Sequence, residues 1–385
     1  MDKSDRHFSK IEILDTTLRE GEQSKGVSFT LEQKIDLAKE LDNFGVDYIE
    51  LGHPYSCQQI QEAVTTIASM KLKAKTVGHA RARLEDIDCV AKCGTPWIGI
   101  FAGINDYCLE YKYHCSRDEM EGKILGSIKH AKSLGLKVRF SCEDAARTFD
   151  IDLVELYKKV EQAGADRISI ADTVGILVPQ KAYILVNFIN RSISLPIHVH
   201  FHNDFGLAVG NALSALEAGA QVVDVSIDGI GERTGITSLA ELCASLKILY
   251  TVPNSWKLEK LPLLSEKLRR YTGLDIRNKK PIVGADAFTH KCGLHSAAVF
   301  QEPKCYEPAS PDTFSQQRTI LINKLSGRQA IEQELQFLGI QSDSNTIDTI
   351  LAILKSSPDL EIITPQEFYL KFKHLIQKPE PALIK

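Results

Sequence analysis

Apolar and polar positions follow two alternating periods along the first 231 residues. Eight short apolar runs recur: Ile11–Arg19, Asp47–Gly52, Lys73–His79, Trp97–Ala102, Lys137–Glu143, Arg167–Thr173, Ile197–His202 and Val222–Ile227. Each has the length of a buried strand. Between them lie amphipathic stretches of helical spacing. Leu31–Asn43, for example, puts Ile35, Leu37, Ala38 and Leu41 on one face. Asp150 or Asp152 is expected to cap a helix starting near Leu153. Gly45, Gly135, Gly164 and Gly219 each stand between a helical stretch and the next run. Glycine accepts the left-handed conformation that ends a helix. Eight strand–helix units in series predict an α/β fold, a TIM (β/α)8 barrel. A doubly wound open sheet is the alternative, but the count of eight and the lack of a Gly-x-Gly-x-x-Gly turn after the first run favour the barrel.

The repetition stops near residue 275. A polar break, Arg277-Asn278-Lys279-Lys280-Pro281, leads into a segment with Gly, His and Pro at 284–310 and a helical tail from about Ser326 to Leu375. Residues 1–275 therefore read as the barrel and 276–385 as a small, mainly helical C-terminal module.

Composition narrows the class. Hydrophobic residues make up 43% and charged residues 25% of 385 residues, as in an ordinary globular protein. A net charge of −4 gives no basic surface for nucleic acid. No apolar stretch approaches the ~20 residues that span a bilayer. The polar N-terminus lacks a signal-peptide core, so the expected compartment is the cytoplasm. Nine cysteines at irregular spacing, with no Cys-x-x-Cys pair, read as free thiols in a reducing environment.

The candidate chemistry sits at the C-terminal ends of the runs, the face on which barrel enzymes carry their sites. There stand Arg19 and Glu20, Glu50, His79, Ser141 and Glu143, Asp172 and Thr173, His200 and His202, and Asp228 and Glu232. His200 and His202 are two apart, so on a strand both imidazoles face the same way. With Glu20 they form a two-imidazole, one-carboxylate set that leaves positions open on a divalent cation. His198 shares their face and is expected as a neighbour. Arg139, Ser141 and Glu143 share a face on the fifth run. A buried Arg139 needs an anion, which is either Glu143 or a carboxylate of the substrate. Gly229-Ile230-Gly231-Glu232-Arg233-Thr234-Gly235 lacks the Lys-Ser/Thr of a phosphate loop. It reads as a tight rim turn in which Glu232 and Arg233 brace the site.

Three segments together resemble the DRE-TIM metallolyases: Asp15-Thr16-Thr17-Leu18-Arg19-Glu20-Gly21-Glu22-Gln23, His200-Phe201-His202-Asn203-Asp204, and Gly229-Ile230-Gly231-Glu232-Arg233-Thr234-Gly235. Within that superfamily the chain is similar to the Claisen-condensing synthases of homocitrate, isopropylmalate and citramalate. Ile230, Ile236 and the Val138-Arg139-Phe140-Ser141 strand follow the homocitrate synthase pattern. The resemblance implies an acyltransferase that condenses acetyl-CoA with 2-oxoglutarate on a divalent metal (Mg, Mn, Zn or Co), releasing homocitrate and CoA in amino-acid biosynthesis of the lysine type. It implies Glu20, His200 and His202 as metal ligands, and Arg19, Gln23, His79, Arg139, Ser141 and Thr173 as substrate-binding residues. Arg19, Glu143, His295 and Tyr306 would be catalytic. Residues 276–385 would form a lid and dimerisation module that reaches the neighbouring subunit's barrel, so a homodimer is implied.

Three positions depart from the lysine-pathway pattern. Gly99 stands where an acid ends the fourth strand, Leu109 where an arginine follows, and His198 where an acid precedes the His-x-His. Those groups suit recognition of lysine as an inhibitor, so ordinary lysine feedback is not expected. The same condensation on phosphonopyruvate, 2-oxoisovalerate or pyruvate is the alternative. A cleaving lyase of the hydroxymethylglutaryl-CoA type and a non-catalytic metal-binding barrel are further readings.

Overall fold

A computed structural model describes residues 10–274, 280–290, 299, 302–324, 326–341, 343–357 and 360–376. The chain forms two compact units, Met1–Asp275 and Ile276–Lys385.

The first unit is a closed barrel of eight parallel strands: β1 (Glu12–Asp15), β2 (Tyr48–Gly52), β3 (Lys75–Arg81), β4 (Trp97–Ala102), β5 (Lys137–Cys142), β6 (Arg167–Asp172), β7 (Ile197–Phe201) and β8 (Val222–Val225). β1 pairs with both β2 and β8, which excludes an open sheet. Each of the eight strands overlaps its apolar run, with β3 displaced by two residues to Lys75–Arg81. β1 is shorter than its run because Thr16 to Arg19 turn away from the sheet. Helices α1 (Leu31–Phe44), α2 (Gln58–Ala68), α3 (Leu84–Lys92), α4 (Arg117–Ser133), α5 (Asp150–Gln162), α6 (Pro179–Asn190), α7 (Ala208–Glu217) and α8 (Leu239–Ala244) alternate with the strands, and α9 (Leu261–Thr272) follows. Thr30 and Ser116 open α1 and α4 with reciprocal capping boxes. The expected aspartate cap of α5 is corrected. The helix begins at Asp150 itself, Phe149 is its N-cap, and no side chain caps it. Asp150 and Asp152 sit in the first turn, where their charge favours the helix dipole. Gly45, Gly135, Gly164 and Gly219 all take positive φ.

Strand parity fills the barrel in layers. At its N-terminal end Leu14, Tyr48, Val77, Trp97 and Val222 form one buried cluster. Arg167 lays its guanidinium 4.7 Å from the Tyr48 ring centre and 4.9 Å from that of Trp97, and pairs with Glu12 at 2.5 Å. Two residues further along β2 and β8, the inward positions become Glu50 and Asp224, and Arg139 of β5 meets both, all three buried. The interior therefore changes from apolar to ionic on the way to the C-terminal face.

The second unit holds two short parallel strands, Thr289–His290 and Thr319–Ile320. Its helices Arg328–Phe337, Ser344–Ser356 and Pro365–Phe372 pack around Ile331, Leu335, Ile350, Phe368 and Phe372. Among the described residues no helix is long and apolar enough to cross a membrane, and every cysteine is a free thiol.

Candidate active site

Twelve of the residues singled out in the sequence line one cavity of about 320 Å³ on the C-terminal face of the barrel. They are Arg19, Glu20, Gln23, His79, Arg139, Ser141, Glu143, Thr173, His200, His202, Glu232 and Arg233. Phe101, Lys112, Ala171 and Asp224 complete the wall.

Glu20, His200 and His202 are buried, with one ligand atom of each within 4.8 Å of the others. The two Nε2 atoms lie 3.3 Å apart. That separation suits two imidazoles on one ion at ~2.0–2.1 Å. Asp224 Oδ2 lies 3.0 Å from His200 Nδ1. A carboxylate there favours the proton on Nδ1 and would leave the Nε2 lone pair available to a metal ion, the arrangement that orients metal-bound histidines. Burial, then the neighbouring His200, pushes His202 down to about 4, so it presents a neutral ring. Glu20 is held by its surroundings as well. Arg19 Nη1 donates to one oxygen, and the Glu232 amide donates to the other at 2.9 Å. Burial opposes its ionisation, but Arg19, His200 and His202 outweigh this and keep the carboxyl below its usual range. The donor set thus fits a divalent cation.

The Gly229–Gly235 turn braces this set as expected. A side chain at Gly235 would place its Cβ 1.8 Å from the Gly229 carbonyl oxygen, and φ there is +88°, so the turn requires glycine. Arg233 donates to both Asp204 oxygens at 2.7 and 2.8 Å and to the Thr173 carbonyl at 2.9 Å. It ties together the loops after β6, β7 and β8.

Arg139 does not pair with Glu143, which corrects one of the two partners read from the shared face. Its Nη2 donates to Glu50 Oε1 at 2.7 Å, and its Nη1 lies 3.3 Å from both Asp224 oxygens. Glu50 also accepts from Arg19 Nε at 2.7 Å and from the Thr16 hydroxyl at 2.8 Å. Burial opposes the charge on Glu50, but the two arginines overcome it and hold the carboxyl far below its usual range. Asp224 is likewise depressed despite burial, chiefly by His198 at 2.5 Å and by Arg139. His198 is thus a neighbour of the metal pair through Asp224. Gly99 makes room for the Arg139 fork: a Cβ at that position would stand 2.6 Å from Nη2.

His79 stacks flat on Phe101, with ring centres 4.6 Å and planes 4° apart. Burial, then the Arg19 charge, lowers it well below the usual histidine range, so it faces the cavity as a neutral ring. Glu143 follows β5 and faces the loop after β4. Lys112 Nζ meets its two oxygens at 2.6 and 2.7 Å, and the Tyr113 hydroxyl donates at 3.0 Å. Thr173 accepts from the Asp144 amide at 2.8 Å, which leaves its hydroxyl hydrogen available.

Two polar residues of the expected rim serve the scaffold. Asp172 accepts from the Ile176 and Leu177 amides at 3.0 Å, and Asp228 is bonded to Ser265 at 2.7 Å. Asp224, Lys112 and Tyr113 were not singled out in the sequence. An acid at an inward position of the apolar Val222-Val223-Asp224-Val225 strand is the signal that marks Asp224. Lys112 and Tyr113 lie in a loop and carry no such periodic signal. Of the two expected lid groups, His295 falls outside the described residues. Tyr306 belongs to the second unit, where it is partly exposed beside Glu307, a carboxylate held by Arg318 at 2.6 and 2.7 Å and by His290 at 3.0 Å.

Comparison with known proteins adds kinship to this geometry. Residues 10–267 match the HMGL-like family, and residues 282–362 match the homocitrate synthase post-HMGL domain-like family. A 2-isopropylmalate synthase from Methanocaldococcus jannaschii is 44% identical over 86% of this chain, which spans 64% of that protein. A homocitrate synthase from Sulfurisphaera tokodaii is 41% identical over 91% of this chain, which spans 77% of that protein. The solved HMG-CoA lyase of Bacillus subtilis superposes with a TM-score of 0.63 at 20% identity, over 70% of this chain and 96% of its own. That likeness concerns the fold.

Proposed function

Starting from a chain that belongs to the HMGL-like family, in the branch holding the homocitrate and 2-isopropylmalate synthases, we propose that it condenses acetyl-CoA with 2-oxoglutarate to give homocitrate and CoA. The observation that carries the acceptor is Arg139, a buried guanidinium lining the same cavity as the metal-binding set, with Ser141, Thr173 and His79 beside it. A guanidinium fork matches a second carboxylate, which 2-oxoglutarate has and 2-oxoisovalerate lacks.

Glu20, His200 and His202 would hold the divalent metal. Bound there, it would polarise the keto group of the acceptor. Charge supports this. Arg19 and Arg139 face the three carboxylates Glu20, Glu50 and Asp224, so a divalent ion turns a surplus of one negative charge into one positive charge, receptive to an anion. Arg19, at the rim of β1, stabilises the negative charge that develops on the keto oxygen during attack. His79 offers a neutral ring N–H to the acceptor, and Gln23 lines its entrance. Glu143 takes a proton from the acetyl methyl group, a task in which the resemblance also implies Tyr306 and His295. A second cavity of about 710 Å³ shares Arg19, Gln23, His79 and Phe101 with the first and has room for the larger thioester. Residues 276–385 would act as the lid and as the dimerisation module of a homodimer.

Release of CoA thiol is the assay, run with metal-loaded enzyme across 2-oxoglutarate, 2-oxoisovalerate, pyruvate and phosphonopyruvate. Turnover of 2-oxoglutarate at least tenfold above the others is expected. A preference for 2-oxoisovalerate would replace this reading with the isopropylmalate synthase one. That second reading is favoured by the 44% identity above and by the two carboxylates already on the Arg139 fork.

A further inference from the structure

The loop after β4 contributes a cation that has no part in holding the metal or the acceptor. It runs from Gly103 to His114 and carries a wide, π-helical turn at Cys108–Tyr113. It is fastened to the loop after β5 rather than left loose. The Asn105 amide donates to the Asp144 carboxylate at 2.7 Å and to the Asp144 carbonyl at 3.2 Å, and Asn105 Oδ1 accepts from the Cys108 amide at 2.9 Å. The crossing is tight. A Cβ on Gly103 would stand 2.4 Å from Cys108 Sγ and 3.0 Å from the Glu143 carbonyl oxygen.

The other side of the crossing is equally fixed. Asp144 has φ of +57°, a left-handed conformation unusual for a residue with a side chain. Its amide donates to Thr173 Oγ1 and its carboxylate accepts from Arg147 at 2.9 and 3.0 Å. Glu143, the residue before it, donates its amide to the Ala102 carbonyl at 3.0 Å. The backbone at Glu143 is thus set from β4, β6 and its own turn.

On this frame the side chain of Glu143 receives donors on both oxygens. Lys112 Nζ reaches Oε1 at 2.6 Å and Oε2 at 2.7 Å, and the Tyr113 hydroxyl reaches Oε2 at 3.0 Å. Lys112 itself sits 5.6 Å from the Phe101 ring centre, the ring against which His79 stacks. Three charge-assisted hydrogen bonds, two from the ammonium and one from the phenol, restrain a three-torsion side chain that would otherwise sample several rotamers.

We propose that Lys112 is a positioning residue for Glu143: with Tyr113 it clamps the carboxylate at the edge of the acceptor cavity, in the orientation from which it meets the acetyl methyl group. This rests on Glu143 being the proton acceptor of the condensation. Its effect is therefore on the chemical step and not on acceptor binding, because a base misplaced by ~1 Å costs about 10²-fold.

The experiment compares Lys112→Met, Lys112→Arg and Tyr113→Phe in the metal-loaded full chain by CoA thiol release, with thermal unfolding as the check on folding. Lys112→Met is expected to lower kcat by about 10–100-fold while the acceptor KM stays within threefold. Lys112→Arg, which keeps a cation of similar reach, should recover at least half of the loss on a logarithmic scale. Tyr113→Phe removes only the hydroxyl donor and should lower kcat by a few-fold. An unchanged kcat in Lys112→Met, a change confined to KM, or an arginine variant no better than the methionine one would overturn the proposal. If Lys112→Met unfolds, Tyr113→Phe decides alone, and an unchanged kcat there counts against the clamp. Wild-type enzyme that releases no thiol with any 2-oxo acid would instead defeat the condensation reading.

Discussion

Gly99→Ala is the sharpest perturbation of the ionic layer. Gly99 lies on β4 in register with His79 on one side and Arg139 on the other. Its φ is not in the left-handed region, so alanine brings no backbone strain and the effect is steric. The new Cβ would stand 2.6 Å from Arg139 Nη2 and 3.2 Å from Glu50 Oε1, the two atoms that make the 2.7 Å ion pair. The guanidinium cannot simply swing clear, because its Nη1 rests on Asp224 and it is 3% exposed. Overpacking of this kind costs ~1–3 kcal/mol, and complete loss of a buried partner ~3–5 kcal/mol. An intermediate loss of about 2–4 kcal/mol is expected. For a unit of this size that lowers Tm by roughly 5–10 °C. Gly122→Ala is the control. It lies inside α4, nothing stands within 4 Å of its Cβ position, and it should stabilise by about 1 kcal/mol. Thermal unfolding of both variants reads the stability, and thiol release reads the acceptor. Gly99→Ala should raise KM for 2-oxoglutarate by about tenfold or more, the scale of ~1.4 kcal/mol lost from one polar contact. A Gly99→Ala protein with wild-type Tm and wild-type KM would refute the tight Gly99–Arg139–Glu50 packing.

Two other predictions test separate parts of the barrel. Asp224→Asn removes the charge that orients His200 and should weaken metal binding by ~10–100-fold, measured by competition with a chromophoric chelator; an unchanged dissociation constant would count against the oriented-histidine arrangement. Asp15 provides a pH test. Burial lifts its carboxyl from 3.8 to about 7, so between those values the folded chain binds a proton that the unfolded chain releases. Stability from this group is complete below about pH 4, declines as pH rises through 7 and is level above, with a ceiling of about 4 kcal/mol. Urea unfolding at pH 5.5 and 8 should show a smaller difference for Asp15→Asn than for the wild type, and an identical difference would remove Asp15 as the cause.

The strands and most of the cavity were legible because both follow local rules. An apolar run of four to seven residues bounded by glycine turns marks a buried strand wherever it lies. Two histidines two apart on such a strand share a face by geometry alone. The α5 cap was misread because an aspartate near a helix start serves either as the cap or as a first-turn charge. Asp150 and Asp152 take the second role. The two groups on Glu143 stayed hidden for a different reason. Lys112 and Tyr113 stand 31 and 30 residues from Glu143 in a loop whose path is set by the Asn105–Asp144 contact and by the space at Gly103, neither of which has a period.

Side-chain periodicity along the chain fixes the eight-unit order, the face on which the polar residues gather, and the co-facing of His200 and His202. Those are properties of one strand or one strand–helix unit, fixed by side-chain period. Only the closed barrel decided who neutralises whom inside it. Arg139 on β5 meets Glu50, 89 residues away on β2, and Asp224, 85 residues away on β8. It bypasses Glu143 on its own chain segment. A buried charge is satisfied by whatever acid the cross-barrel geometry brings within reach, and that reach exists only once β1 has paired with β8.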